Sequence, residues 1–213
     1  MDHYISDLFA PSDPALEAAE QSLHDAGMPI IQVSANQGKL LHILAKACRA
    51  VKILELGTLG GYSTIWLARA LPENGRLITL ELEPAYAGVA RKNFVRAGLD
   101  SRIDIRVGKA LDVLPQLEAE QAGPFDLIFI DADKPPYAEY YQWAVKLSRP
   151  GTLIIADNVV REGKILDPHH PDEMVQGVRR FNEMLSKDAR VTATVFQTIG
   201  VKDHDGMAIA VVH

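Results

Sequence analysis

The sequence predicts an α/β fold in which a mostly parallel sheet is covered by helices on both faces. From residue 51 onward, short apolar runs that suit buried strands alternate with stretches of helical periodicity. The first apolar run, 51–56, is followed at once by Gly57, Gly60 and Gly61, and then by a helical pattern. A strand, a glycine turn and a helix in this order open a nucleotide-binding α/β domain, because the chain turns sharply and a ligand lies against bare backbone.

The alternation assigns the remaining elements in chain order. Helices are predicted at residues 14–26, 34–49, 63–71, 84–97, 109–120, 137–148 and 172–185. Strands are predicted at residues 51–56, 76–81, 103–107, 125–130, 152–156, 189–198 and 207–212. Residues 1–10 have a mixed pattern that predicts no element, and Pro115 is expected to kink or shorten its helix. Only the polar loop 200–206 joins the last two strands; it cannot make a parallel crossover, so one of them is expected to run antiparallel.

Length and composition indicate one globular domain, residues 1–213, without a linker or repeat. The net charge of −6 gives no reason to expect nucleic acid or an anionic membrane as a partner. The apolar runs are far too short to span a bilayer, and the acidic N-terminus does not resemble a signal peptide. Cys48 is the single cysteine, so no intrachain disulfide can form and a cytoplasmic location is expected. The helices within residues 1–50 are expected to cover the mouth of a site.

Polar residues gather where the predicted strands end, whereas the strands themselves are apolar. Glycines follow the first strand, Glu81 ends the second, and Gly108 and Ala110 follow the third. The fourth and fifth strands are followed by residues 131–134 and 157–158. In open α/β sheets, ligands bind beyond the carboxyl ends of the strands, so this concentration predicts a ligand site.

Three of these residues, Asp131, Asp157 and Asn158, offer only oxygen ligands. Oxygen ligands without His or Cys favour Mg²⁺ or Ca²⁺ over Zn²⁺, and three protein oxygens leave positions for water or a substrate. The alternative is that Asp131 and Asp157 only cap turns, where Asp is common. Lys134 follows Asp131 by three residues and could serve as a base beside a bound cation. The alternative for Lys134 is a solvated surface lysine.

Two glutamates flank the glycine turn. Glu55 sits inside the first strand, where a carboxylate is costly unless it has a partner. Glu81 lies about where a ribose-binding acid is expected; the alternative is a carboxylate that stabilises the start of the next helix. Tyr137, Tyr140 and Tyr141 stand at helical spacing, so they are expected to pack or to cover the rim of the site, with a substrate contact as the alternative.

Three stretches carry a resemblance to a known family: LELGTLGGYS at 54–63, FIDADK at 129–134 and IADN at 155–158. In this order and spacing, the chain resembles the class I S-adenosylmethionine-dependent O-methyltransferases of the cation-dependent catechol and caffeoyl-coenzyme A group, and their small bacterial members in particular. The resemblance covers nearly the whole chain. It implies a Rossmann-like, seven-stranded sheet with an antiparallel last strand, and a homodimer.

The resemblance also implies a reaction and roles for residues. The reaction is the transfer of a methyl group from S-adenosylmethionine to one hydroxyl of a small catechol-type phenol. Asp131, Asp157 and Asn158 would bind a divalent cation, typically Mg²⁺, and Lys134 would be the catalytic base. Glu81 would hold the ribose of the cofactor. The residues implied to bind the cofactor are Val33, Glu55, Gly57, Gly61, Ser63, Glu81, Ala110, Asp131 and Asp133.

One departure and two rival functions stand beside this resemblance. Pro135 and Pro136 replace the polar residues that are usual there, and they could shift the start of the following helix. A nicotinamide-dependent oxidoreductase would need the G-x-G-x-x-G spacing, which Gly57 and Gly60 do not have, and it would leave the oxygen ligands unexplained. A non-catalytic S-adenosylmethionine-binding protein would not need the oxygen ligands and the lysine to be complete.

Overall fold

The computed structural model describes residues 1–200 and 203–213, and the strands in this part of the chain form one seven-stranded sheet. The strands are β1 (Lys52–Leu56), β2 (Arg76–Glu81), β3 (Ile103–Val107), β4 (Phe125–Ile130), β5 (Ser148–Asp157), β6 (Val191–Gly200) and β7 (Asp203–Val212). Their order in the sheet is β3-β2-β1-β4-β5-β7-β6. Strand β7 runs antiparallel to β5 and β6, whereas the other neighbouring pairs are parallel. The predicted α/β class with an antiparallel last strand is confirmed.

Helices cover both faces of this sheet. They are α1 (Asp2–Phe9), α2 (Pro14–Asp25), α3 (Ala35–Ala47), α4 (Tyr62–Ala68), α5 (Pro84–Arg96), α6 (Ala110–Ala119), α7 (Tyr137–Lys146) and α8 (Glu173–Lys187). Short 3₁₀ helices span Asp100–Arg102 and Arg161–Leu166. None of the helices in the described residues combines the length and apolar character that crossing a membrane requires. That residues 1–213 form one domain stays a prediction.

Alternate residues of the central strands supply two separate cores. Leu127 and Phe129 of β4 belong to the core that contains residues of α2, α3, α4 and α5. Ile128 and Ile130 belong to the opposite core, which contains residues of α6, α7 and α8. Every residue of β4 is buried. Burial on both faces is the reason that β4 has a nearly unbroken apolar sequence.

Two predictions about helices are corrected by the structure. Residues 1–10, which predicted no element, contain α1. This helix has no buried residue, so its apolar side chains contribute to neither core. Pro115 lies inside α6 and does not shorten that helix, which covers nearly the predicted range.

Two of the last three strands are longer than predicted, and the strand between them in sequence, β6, is shifted by two residues. Strand β5 begins at Ser148 because that residue already pairs with Phe125 of β4, before a register shift. Strand β6 continues to Gly200 and β7 begins at Asp203. The prediction of a loop at 200–206 is therefore wrong for residue 200 and for residues 203–206, which belong to strands. Residues 201–202 of that predicted loop lie outside the described residues.

Caps fix the helices that precede the sheet. Asp13 caps α2 by accepting hydrogen bonds from the N–H groups of Ala15 and Leu16, and it also pairs with Arg69 at 2.6 Å. Ser34 opens α3 with a capping box. Helices α2 and α3 both contact α4, so these caps hold them beside the glycine turn.

Helix α8 packs closely against the segment between β4 and α7. A Cβ atom added at Gly177 would lie 2.2 Å from the carbonyl oxygen of Lys134 and 2.6 Å from the Cα of Pro135. These are backbone atoms, so they cannot move aside without shifting the chain that carries Lys134. Only glycine fits at this point of α8.

We expect Gly177→Ala to lower the free energy of unfolding by about 1–3 kcal/mol, because the added methyl group overpacks this contact. Gly88→Ala in α5 is the matched control, since a Cβ there has no atom within 4 Å. It should raise the free energy of unfolding by up to about 1 kcal/mol, as alanine favours a helix. Urea unfolding measures both, and equal effects of the two substitutions would contradict the expectation.

Candidate active site

The turn after β1 packs directly against the end of β4. Gly57 has a φ of +95°, and a Cβ there would lie 2.0 Å from the carbonyl oxygen of Asp131. The N–H of Gly57 donates to the carbonyl of Leu80 at 3.0 Å, and the N–H of Asp131 donates to the carbonyl of Leu56 at 2.9 Å. The carboxyl ends of β1, β2 and β4 are thus joined by backbone hydrogen bonds. Glycine is required at position 57 for both its backbone angle and its small size.

Glu81, at the end of β2, holds this turn through its carboxylate. One oxygen accepts from the N–H of Leu59 at 2.7 Å and from that of Thr58 at 3.3 Å. The other oxygen accepts from the N–H of Glu83, which precedes α5, at 2.9 Å. A carboxylate has about four acceptor positions, and the three N–H groups leave about one of them for a ribose hydroxyl. That Glu81 binds a ribose stays a prediction.

Glu55 is fully buried inside β1 and has the partners that its position demands. Its carboxylate accepts hydrogen bonds from the hydroxyls of Ser63 at 2.7 Å, Thr64 at 2.5 Å and Thr79 at 2.7 Å. Burial nevertheless raises the pKa of Glu55 from 4.5 to about 7, because these neutral donors replace water only in part. Thr64 and Thr79 are site residues that the sequence analysis missed.

The proposed cation ligands stand at the ends of two paired strands. Ile130 pairs with Ala156, so Asp131 and Asp157, the residues that follow them, lie side by side. Asp157 is buried, and both this burial and the charge of Asp131 raise its pKa above the ordinary value. Asn158 has a φ of +58°, and its N–H donates to the Asp157 carboxylate at 2.8 Å. Asparagine tolerates this left-handed conformation better than most residues.

This donor set fits a hard divalent cation. In the described part of the chain, no group of three or more His, Cys, Asp or Glu side chains is arranged to hold a metal. The set at these strand ends is different, because it joins two carboxylates with the amide of Asn158. Two adjacent carboxylates, one of them buried, repel each other, and a cation between them would relieve that repulsion.

Lys134 is buried and turned toward these ligands. Its Nζ atom donates to the Asp131 carboxylate at 3.0 Å and to the hydroxyl of Tyr137 at 2.5 Å. With 4% of its surface exposed, the alternative of a solvated surface lysine is wrong. Helix α7 begins at Tyr137, as predicted, so Pro135 and Pro136 do not shift its start.

The other residues predicted to bind the cofactor lie around the same end of the sheet. Val33 is buried just before α3, and Ala110 is the first residue of α6. Gly61 is the N-cap residue of α4, and Ser63 lies in its first turn beside Glu55. Asp133 is exposed and accepts a hydrogen bond from the hydroxyl of Tyr140 at 2.6 Å. Their contacts with a cofactor stay predictions.

A cavity of about 540 Å³ borders Asp157 and Asn158. Its walls come from α1, the segment before α3, α3 itself and the β6–β7 pair. That the N-terminal helices cover the mouth of the site stays a prediction. The apolar side chains in these walls are Ile5, Phe9, Ile31, Val33, Leu40, Ile43 and Ile199. Several are widely exposed, which is unusual for large apolar side chains unless a ligand or partner covers them.

The buried carboxylate of Glu55 predicts how stability depends on pH. Its pKa is higher in the folded state than in the unfolded chain, so the folded state binds more protons and loses stability as the pH rises from about 4.5 to 7. Glu55→Gln removes the charge but keeps a polar side chain. Relative to wild type, the variant should gain up to about 3 kcal/mol of unfolding free energy between pH 5 and pH 8.

Urea unfolding at both pH values, without cofactor, measures this difference. Glu73→Gln removes an exposed carboxylate and controls for the loss of one negative charge. A difference between wild type and Glu55→Gln that is the same at both pH values would contradict the expectation.

A family profile described as "O-methyltransferase" matches residues 11–211. A catechol O-methyltransferase from Niastella koreensis is 65% identical over 212 residues, which cover 100% of this chain and 96% of that protein. A catechol O-methyltransferase from Mycobacterium tuberculosis is 47% identical over 212 residues, covering 100% of this chain and 94% of that protein.

Solved structures of O-methyltransferases are also similar to this chain. The O-methyltransferase from Bacillus cereus, in complex with SAH, has a TM-score of 0.98 and 51% identity, over 100% of this chain and 96% of that one. TomG from Streptomyces achromogenes, in complex with SAM, has a TM-score of 0.96 and 51% identity, over 99% of this chain and 95% of that one. These matches set aside the oxidoreductase and confirm the expected class of S-adenosylmethionine-dependent O-methyltransferase. The chain belongs to the O-methyltransferase family.

Proposed function

We propose that this enzyme transfers a methyl group from S-adenosylmethionine to one hydroxyl of a catechol-type acceptor, with Mg²⁺ or a similar divalent cation at the site. One observation carries the proposal: Asp131, Asp157, Asn158 and the buried Lys134 lie together at two strand ends, and an apolar cavity begins beside them. The catechol O-methyltransferase names of the two relatives support this acceptor class.

The donor would lie along the ends of β1 and β2. Gly57 offers bare backbone for its methionine part, with Val33 and Ser63 nearby, and Glu81 would hold its ribose. Ala110, at the start of α6 beyond β3, would lie along the adenine. SAH and SAM in the solved relatives support this assignment. The remaining residues proposed to bind the donor are Glu55, Gly61, Asp131 and Asp133.

The cation would be held by Asp131, Asp157 and Asn158. Carboxylate and amide oxygens are the ligands that Mg²⁺ prefers, and three of them leave room for oxygens of an acceptor. When bound, the cation would supply positive charge that favours the ionised form of the acceptor hydroxyl. The repulsion between Asp131 and the buried Asp157 supports a cation at this place.

Lys134 would take the proton of the acceptor hydroxyl at its Nζ atom. Its burial keeps bulk water from competing for that proton, and its hydrogen bond to Asp131 holds it beside the proposed cation ligands. The acceptor oxygen then forms a bond to the methyl carbon while the carbon–sulfur bond breaks, and sulfur keeps the electron pair. Holding oxygen and carbon in line lowers the remaining barrier.

The cavity supports a small phenol as the acceptor. A ring whose hydroxyls reach Asp157 and Asn158 would place its other edge among Phe9, Ile31 and Ile43. Covering these exposed side chains is favourable by roughly 25 cal/mol for each Å² of apolar surface. The volume of about 540 Å³ lies within the usual range for sites that bind small organic molecules.

We also propose a cellular location and an oligomeric state for the enzyme. The lone Cys48 favours a reducing compartment, so we propose the cytoplasm. A net charge of −6 disfavours nucleic acid and anionic membranes as partners. The family resemblance supports a homodimer.

The test of this function is a methyl-transfer screen over vicinal diphenols with S-adenosylmethionine, with added Mg²⁺ or with a chelator. At least one diphenol should be methylated with Mg²⁺, and the chelator should reduce its turnover by roughly 100-fold or more. Asp157→Ala should lose the response to Mg²⁺ yet bind S-adenosylmethionine within a few-fold of wild type by calorimetry. Donor binding without methylation of any diphenol would instead support a non-catalytic binding protein.

Lys134→Met tests the base, because methionine keeps the length of the side chain but cannot accept a proton. Turnover of the best diphenol should fall by roughly 100-fold or more, the usual contribution of a general base. Affinities for Mg²⁺ and S-adenosylmethionine, measured by calorimetry, should stay within a few-fold of wild type. Full turnover in this variant would refute the role of Lys134.

A further inference from the structure

Tyr137 places a hydroxyl group directly behind Lys134. Its side chain is fully buried, and its ring stands nearly perpendicular to that of Phe181, with 5.7 Å between the centroids. The hydroxyl oxygen lies 3.2 Å from the carbonyl oxygen of Ile130, 3.0 Å from that of Asp157 and 2.5 Å from Nζ of Lys134. Packing explains the ring, but phenylalanine would pack as well, so the hydroxyl needs an explanation of its own.

Counting protons fixes the direction of these hydrogen bonds. A tyrosine phenol carries its proton at neutral pH, since its ordinary pKa is about 10. A phenol has one proton to donate, and the carbonyls at the ends of β4 and β5 can only accept. The proton therefore goes to a carbonyl, and the oxygen presents a lone pair to Lys134.

The same count applies to Lys134 when it acts as a base. A neutral amine has two N–H groups and one lone pair. Asp131 at 3.0 Å and Tyr137 at 2.5 Å are acceptors in fixed positions, so they take the two N–H groups. The lone pair is then left in the one remaining direction. Without the Tyr137 hydroxyl, the amine could rotate and point this lone pair elsewhere.

We propose that Tyr137 is a positioning residue, whose hydroxyl orients the Nζ atom of Lys134 for proton abstraction from the acceptor. The inference rests on the proposed function of Lys134 as the base. On this inference, Tyr137 affects turnover only when Lys134 is present. It does not help to bind the donor or the cation.

The experiment compares Tyr137→Phe with Tyr141→Phe. Tyr141 is the matched control, because it lies on the same helix, is fully buried and packs on Phe181 with 5.8 Å between centroids. Its hydroxyl donates to Asp188 at 2.9 Å and has no contact with Lys134. Both variants are assayed below their unfolding midpoints with catechol, S-adenosylmethionine and MgCl₂, or with the best diphenol of the screen.

Tyr137→Phe should lower kcat by about 10-fold, while KM for the acceptor and the affinities for Mg²⁺ and donor stay within about 2-fold. Tyr141→Phe should leave kcat within about 2-fold of wild type. A loss of Mg²⁺ affinity in Tyr137→Phe would overturn the inference, because the hydroxyl would then act by holding the strand ends. An unchanged kcat would overturn it as well.

A double variant separates this inference from the function on which it rests. Tyr137→Phe added to Lys134→Met should not lower kcat further, because the hydroxyl acts only through the amine. A further 10-fold loss would show a role independent of Lys134 and would overturn the positioning role while leaving the base intact. If Lys134→Met alone kept full turnover, the proposed base would fail first, and the inference with it.

Discussion

The close contact between Gly57 and the carbonyl of Asp131 is the constraint on which the site depends. It sets the turn proposed for the donor against the strand end proposed for the cation. The contact exists because β1 and β4 are neighbours in the sheet, although β2 and β3 separate them in sequence. The chain builds outward from β1 to β2 and β3 on one side, and to β4 and β5 on the other. A crevice opens where this direction changes, and the candidate site lies there.

Three buried carboxylates surround that crevice, and each is stabilised by different donors. Glu55 accepts from three hydroxyls, and Glu81 accepts from three backbone N–H groups, two of which belong to the glycine turn. Asp157 has one hydrogen bond, from the N–H of Asn158, and it faces the charge of Asp131. Asp157 is therefore the least satisfied of the three. The two carboxylates of Asp131 and Asp157 face one ammonium group, that of Lys134, and together with Asn158 they form a donor set that suits a divalent cation.

The features that follow from hydrophobic periodicity and from the positions of the strand ends could be predicted from the sequence. The features that depend on which residues pair across neighbouring strands could not. The bounds of β4 were predicted correctly because burial on both faces leaves an apolar run. The proximity of Asp131 and Asp157 could be predicted from the sequence, since neighbouring parallel strands end at the same edge of the sheet. Thr79 could not be linked to Glu55, because the two meet only through the pairing of β1 with β2. The burial of Lys134 was equally hidden, since it depends on how α7 and α8 pack.

The residues proposed to carry out the reaction and those proposed to contact the acceptor reside in different parts of this fold. Asp131, Lys134 and Tyr137 all belong to the short segment that leaves β4 and enters α7, and the Tyr137 side chain anchors this segment in the core that contains α6, α7 and α8. The apolar walls of the cavity come instead from α1, α3 and the β6–β7 pair, whose side chains are widely exposed. A substitution such as one at Ile43 or Ile199 changes the surface offered to the acceptor without touching the residues proposed to move the methyl group and the proton. The range of acceptors can therefore change while the reaction is preserved.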